Sequence, residues 1–173
     1  ADADGKIIKI DARFVFDGGA YTSTSPAVLI NGITHTQGPY KCDNATVDGY
    51  AVRTNNPPCG AMRGFGVVQA CFAHESQMDK IAAAVCKSPV EIRLINAMVT
   101  GDPLITGQTM ESVAPVARCI TETDAIPLPE PLGVTVNELS LPGGSGLTAS
   151  RSNIVRGIGW GVSMKNLMYS EGF

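Results

Sequence analysis

Residues 6–17 are rich in Ile, Val and Phe and partly alternate in polarity. That pattern predicts a β-strand entered from a turn at Asp4-Gly5 and left at Gly18-Gly19. A Ser/Thr-rich stretch at 21–25 follows, and residues 26–36 are apolar without a decisive period, which suits either a short helix or a buried segment. Residues 40–54 predict a second strand, with Val47, Tyr50 and Val52 as its apolar members. Asn55-Asn56-Pro57-Pro58-Cys59-Gly60 is a loop by composition, because consecutive prolines fix φ and remove two backbone donors.

After Gly66 the period lengthens. Val67, Cys71, Met78, Ala82 and Val85 fall on one helical stripe, widened by Val68, Phe72 and Ile81, so a helix is predicted over about 66–85. Ser88-Pro89-Val90-Glu91 combines an N-cap Ser, a Pro in the first turn and a Glu at the third position. It predicts a second helix carrying Val90, Ile92, Leu94 and Ile95 to about Met98, ended by Gly101-Asp102-Pro103. A third helix is predicted at about 110–120, with Pro115 as its break or kink.

Residues 127–152 are rich in Pro, Gly and Ser and read as an exposed connection, with Val134-Thr135-Val136 as a brief strand-like run. Residues 154–168 return to strand composition, and Gly157, Gly159 and Gly161 leave one face bare for close packing. The pattern as a whole predicts an α+β fold of mixed sheets with two or three packed helices. The expected division is a lobe at 1–126, a connection at 127–153 and the first strand of a further lobe at 154–173.

Composition removes several function classes. The 173 residues are 44% hydrophobic and 17% charged with net charge −3, enough for one domain or one lobe of a larger one. No basic face for phosphate is visible, which argues against nucleic acid. No apolar run reaches the roughly 18 residues of a membrane span. The start, Ala-Asp-Ala-Asp-Gly, lacks a signal-peptide pattern and an initiator Met, so the chain is expected to be cut or processed from something longer. Cys42, Cys59, Cys71, Cys86 and Cys119 show no Cys-x-x-Cys pair, which suits reduced thiols in a cytoplasmic protein and argues against a zinc or iron–sulfur site within the chain. His35 and His74 have no neighbouring metal ligand and are expected to be surface or satisfied core residues.

The chemistry concentrates in residues 53–69. A stiff proline turn feeds Arg63 and Phe65, set among Gly60, Gly64 and Gly66, directly into a helix. Glycines permit positive φ or close approach to a ligand. A helix start aims N–H groups and partial positive charge forward. Arg63 offers a planar fork of donors, and Phe65 a rigid flat face. The competing reading is a tight turn with Arg63 in a salt bridge. A dinucleotide fingerprint fails, since Gln69 stands where the third glycine belongs.

Ala61-Met62-Arg63-Gly64-Phe65-Gly66, entered from Thr54-Asn55 and followed by Gln69, resembles the cofactor signature of the molybdenum hydroxylases: xanthine dehydrogenase, aldehyde oxidase and carbon monoxide dehydrogenase. The likeness extends to Asp17-Gly18-Gly19-Ala20-Tyr21, Tyr40-Lys41, Glu91-x-Arg93-x-x-Asn96, Gly107-Gln108 and Arg156-Gly157-x-Gly159, and most resembles bacterial xanthine-dehydrogenase-type large subunits. The resemblance implies a molybdopterin lined by Ala61, Met62, Arg63 and Gly64, with Phe65 as the platform for a flat substrate and the metal held by the pterin dithiolene. It also implies oxidative hydroxylation, with water as oxygen source, of a purine-like N-heterocycle or an aldehyde. Electrons would leave through iron–sulfur clusters to FAD on partner domains or subunits, within a possible homo-oligomer.

The resemblance also has gaps. The family's general-base Glu motif has no match in residues 110–173; Glu111, Glu122, Glu130, Glu138 and Glu171 are expected to be solvated charges. A second glycine-rich cofactor motif and a substrate-facing Glu are expected upstream, so the chain alone is expected to be inactive and to retain no cofactor. Purine-oxidising members carry an Arg where Asn31 falls here, which makes Asn31 a substrate-site candidate and unsettles purine specificity. Tyr169 and Ser170 approach a channel-lining region. The alternatives are a non-catalytic structural or assembly piece of the same fold, and a stand-alone anion-binding module.

Overall fold

The computed structural model describes residues 1–129 and 157–165. In chain order the elements are β1 (Ile10–Gly19), α1 (Ser25–Thr34), β2 (Ala45–Arg53), α2 (Val67–Ala84), α3 (Pro89–Asn96) and α4 (Val116–Asp124). The fold class is α+β, as the patterns predict. Among the described residues the sheet is a two-stranded parallel pair, running in register from Ile10↔Ala45 to Gly19↔Arg53 with a slip between Asp17 and Gly19. Parallel strands need a long crossover, and α1 supplies it.

Burial follows the alternation in β1. Ile10, Ala12, Phe14 and Phe16 are half-buried, and Asp11, Arg13, Val15 and Asp17 are exposed. On the outer face the Arg13 guanidinium lies 5.0 Å from the centre of the Tyr50 ring. α1 packs on both strands and against α2, and α2 in turn packs on α3. The main core cluster is Tyr40, Met78, Ala82 and Ile92, with Ile7, Ile81 and Val85 against it.

Both strands start later than their composition predicts, because their leading residues pair with α3 instead. The Ile7 N–H donates to Asn96 Oδ1 (2.8 Å), and Asn96 Nδ2 donates to the Gly5 carbonyl (2.9 Å). Tyr40 forms an antiparallel bridge with Ala97, flanked by the Lys41 N–H on the Asn96 carbonyl and the Met98 N–H on the Pro39 carbonyl. The undecided segment 26–36 is helical as far as Thr34, with a proline in its first turn.

α2 matches its prediction to within a residue at each end, and α3 has the predicted capping box. Ser88 Oγ accepts from the Glu91 N–H (3.1 Å), while Glu91 Oε2 accepts from the Ser88 N–H (2.7 Å). α4 begins only after Pro115, its N-cap. The residues before it are held as a loop, with Gly101 donating to the Met110 carbonyl and Met110 to the Asp102 carbonyl. Residues 157–165 form no regular element; among the described residues nothing lies within 4 Å of a Cβ built on Gly157 or Gly159, while one on Gly161 would lie 3.9 Å from Glu75 Oε2. Residues 130–156, including Val134-Thr135-Val136, and residues 166–173 lie outside the described residues.

A buried ionic cluster joins α2 and α3. Arg93 is fully buried; its Nε and Nη2 each lie 2.8 Å from Glu75 Oε2, and its Nη1 lies 2.9 Å from Asp79 Oδ1. The Tyr40 hydroxyl donates to Glu75 Oε1 at 2.5 Å. Burial works against the Arg93 charge, but Glu75 and Asp79 outweigh it and raise its pKa. Burial first, then Glu75, pushes the Tyr40 phenol far up. The same cluster holds the 157–165 segment: Arg93 Nη2 donates to the Trp160 carbonyl and the Val162 N–H donates to Glu75 Oε2, both at 3.0 Å.

Candidate functional site

The loop between β2 and α2 carries the signature, and β1 and α1 hold it residue by residue. Asp17, at the end of β1, accepts from the Thr54 hydroxyl (2.6 Å), from the Asn56 amide and from the Gly19 N–H (2.8 Å). Those three donors, Thr54 foremost, hold its carboxyl below the usual range. Ser25 Oγ donates to the Cys59 carbonyl (2.7 Å), and Thr24 Oγ1 accepts from the Ala61 N–H (2.8 Å). Thr24 is the N-cap of α1 yet makes no side-chain cap. Its oxygen is committed to the signature loop.

At the other end of the loop, Asn31 Nδ2 donates to the Phe65 carbonyl at 2.6 Å. Gly64, Phe65 and Gly66 all have positive φ, at 97°, 52° and 90°. For Phe65 that conformation costs about 1–2 kcal/mol, so its surroundings must hold it there. They do: the Phe65 N–H donates to the Met62 carbonyl (2.8 Å) while its carbonyl is held by Asn31. Gly66 is required for packing as well as for φ, since a Cβ there would overlap the Val28 carbonyl oxygen and come within 3.0 Å of the Gly32 nitrogen.

These contacts leave Met62 81% exposed and Arg63 exposed beside it. No ion pair to Arg63 forms among the described residues, so it is not the salt-bridged turn residue of the competing reading. Phe65 is half-buried. The start of α2 departs from expectation. Gly66 and Val67 are buried, and the Val67 N–H already donates to the Gly64 carbonyl (3.0 Å). The helix end therefore abuts α1 rather than forming an open anion site. The structure brings Ala61, Met62, Arg63, Gly64, Phe65 and Asn31 together; Tyr169 and Ser170 lie outside the described residues.

Sequence reading missed the anchoring roles of Asp17, Thr24 and Ser25. The Ser/Thr run before Pro26 was the available signal, since hydroxyls ahead of a first-turn proline mark a helix start rich in polar groups. It also read His74 as a surface or satisfied residue. The imidazole is nine-tenths buried, and among the described residues neither ring nitrogen has a well-formed hydrogen bond; Glu75 Oε1 lies 3.6 Å from Nε2. His35 is buried and satisfied, with Nδ1 2.7 Å from the Asn31 carbonyl. Among the described residues all five cysteines are free and no group of three metal-binding side chains converges. No helix there is long and apolar enough to cross a membrane.

A cavity of about 660 Å³ lies between α4 and residues 158–163, lined by Ile120, Ile126, Leu128 and Trp160 among others, away from the signature loop.

The molybdopterin cofactor-binding domain family matches residues 1–97. The chain is 44% identical over 112 residues to the nicotinate dehydrogenase large molybdopterin subunit of Eubacterium barkeri, covering 65% of this chain and 26% of that one. It is 38% identical over 96 residues to a probable xanthine dehydrogenase subunit of Bacillus subtilis, covering 56% and 13%. In structure it is similar to the aldehyde oxidoreductase of Desulfovibrio desulfuricans, with TM-score 0.67 and 27% identity over 72% of this chain and 14% of that one. The chain thus spans a small part of each relative's length. With the signature exposed on a loop that β1 and α1 hold in place, and the family match running through it, the chain belongs to the molybdopterin cofactor-binding domain family.

Proposed function

We propose that this chain forms one wall of the molybdopterin site of a molybdenum hydroxylase that oxidises a flat N-heterocycle. The observation that carries the reading is Arg63, exposed and without an ion-pair partner among the described residues, in a loop whose flanking residues are tied inward by Thr24, Ser25 and Asn31. An anionic, oxygen-rich group fits beside such a fork of donors. A purely structural turn would bury Arg63 beside an acid, and a stand-alone anion site would leave the helix start open. Neither arrangement is found among the described residues.

Met62, Arg63 and Gly64 line the cofactor through their exposed edges. Ala61 contributes its position rather than its N–H, which is bonded to Thr24. Phe65 presents the flat face against which the substrate packs. When bound, the cofactor supplies two-electron redox chemistry and transfer of oxygen derived from water. Among the named relatives, the one at 44% identity is a nicotinate dehydrogenase subunit, which favours an N-heterocycle over an aldehyde.

The general base, the second cofactor loop and the substrate-facing Glu belong to the remainder of the subunit, with lobe 1–126, connection 127–153 and onward segment 154–173 as its local plan. Iron–sulfur and FAD domains or subunits carry the electrons away, and the enzyme works in the cytoplasm, where free thiols persist. Arg63→Ala in the full-length subunit tests the assignment. Bound molybdenum should fall and turnover should drop about tenfold or more, the loss of a charged hydrogen bond. Unchanged metal content and rate would refute it.

A further inference from the structure

We infer that Asn31 is a positioning residue for Phe65 and thereby sets the affinity for a flat heteroaromatic substrate, an inference that rests on the proposed role of Phe65. Sequence comparison put Asn31 where purine-oxidising relatives carry an Arg, as a direct substrate contact. The structure turns its amide inward instead, where Nδ2 donates to the Phe65 carbonyl at 2.6 Å.

That bond acts on a peptide with little freedom of its own. Phe65 sits at φ 52° between two glycines that are also left-handed, and its N–H is engaged by the Met62 carbonyl at 2.8 Å. The next residue, Gly66, is pressed against Val28 and Gly32 of the same helix that carries Asn31. Asn31 is itself well fixed: its carbonyl accepts from the Thr34 hydroxyl at 3.0 Å and lies 2.7 Å from His35 Nδ1. A donor mounted on a helix therefore helps fix the backbone of Phe65, the base from which the ring projects. A holder on a regular element is more exact than one on a loop.

The requirement is chemical as well as steric. An N–H must face the Phe65 oxygen. Asn31→Asp puts a carboxylate against that oxygen, Asn31→Leu keeps the shape without a donor, and Asn31→Gln keeps a donor on a longer arm.

The test uses the assembled, molybdenum-loaded enzyme, with nicotinate binding measured by calorimetry and KM measured for acetaldehyde, which has no ring. Asn31→Asp and Asn31→Leu should each weaken nicotinate binding about tenfold, with molybdenum content unchanged and the acetaldehyde KM within about twofold. Asn31→Gln should recover binding to within about threefold. Equal loss for nicotinate and acetaldehyde, or undiminished nicotinate binding in a loaded Asn31→Leu enzyme, overturns the inference.

Phe65→Leu separates the two levels. If it weakens nicotinate binding and Asn31→Leu does not, the Asn31 role alone fails. If Phe65→Leu leaves binding intact, or the unsubstituted enzyme binds no nicotinate, the platform reading falls and the inference with it. Should the Asp variant fail to load molybdenum, the Leu and Gln variants decide the question.

Discussion

Replacing Glu75 with Gln keeps the shape of the side chain and removes its charge from the most buried polar cluster described. In the unsubstituted chain its two oxygens accept from Tyr40, Arg93 and Val162, and Arg93 is 0% exposed. Breaking a buried pair from one side leaves an uncompensated charge and costs about 3–5 kcal/mol. Asp79 remains 2.9 Å from Arg93, but its side chain is 53% exposed and it compensates only in part. Glu75→Gln should therefore destabilise the chain by about 3 kcal/mol, a large share of the roughly 5–15 kcal/mol a domain has.

Urea unfolding followed by far-UV circular dichroism reads the helices. Fluorescence of Trp160, the single tryptophan, reads the segment that Arg93 and Glu75 hold. Both midpoints should fall, the Trp160 midpoint by at least as much as the other. Pairing Glu75→Leu with Arg93→Met should cost no more than Glu75→Gln alone, because no charge is left buried. A loss below about 1 kcal/mol for Glu75→Gln, or a double variant costing the full sum of its parts, would refute the account.

Two further outcomes follow from the same packing. Burial lowers the pKa of His74 below its ordinary 6.5, with Glu75 and the backbone of Val162 and Thr36 opposing. The unfolded chain then binds a proton that the folded chain resists, so this residue's contribution to stability is complete above about pH 6.5 and is lost as pH falls below it. His74→Phe should flatten the decline in melting temperature between about pH 7.5 and pH 5, leaving the part due to His35, whose pKa burial also lowers. An unchanged slope would show that His74 is hydrated in solution. Gly66→Ala should destabilise by at least about 3 kcal/mol, through overlap with the Val28 carbonyl as well as unfavourable φ. Gly107→Ala, at φ 82° with open space around it, should cost about 1–2 kcal/mol in the same melting assay. Equal losses at the two glycines would show that close packing at Gly66 has been overstated.

The elements that could be read along the chain are those decided over a few residues. The capping box Ser88-Pro89-Val90-Glu91 places the start of α3, and the stripe from Val67 to Val85 places α2, because both depend on neighbours three or four positions apart. The signature 61–66 is legible for the same reason: its chemistry is contiguous. The beginnings of β1, β2 and α4 were not legible. Ile7, Tyr40 and Lys41 stand at the starts of the predicted strands but spend their hydrogen bonds on α3 and the residue just after it, and Pro115 caps a helix that its sequence position suggested it would kink.

Sequence by itself pointed to the family, the α+β class and the signature loop at 61–66. Only the tertiary structure decided what holds that loop. Asn31 and Phe65 are separated by 34 residues, Ser25 and Cys59 by 34, Thr24 and Ala61 by 37, and Asp17 and Thr54 by 37. It also decided that Glu75 and Arg93, 18 residues apart, are buried partners of each other and of Tyr40. Such pairings leave no periodic trace in the chain. A polar side chain looks the same in sequence whether it faces water or a backbone carbonyl, and only the packing of α1 and α2 brings the donor and acceptor together.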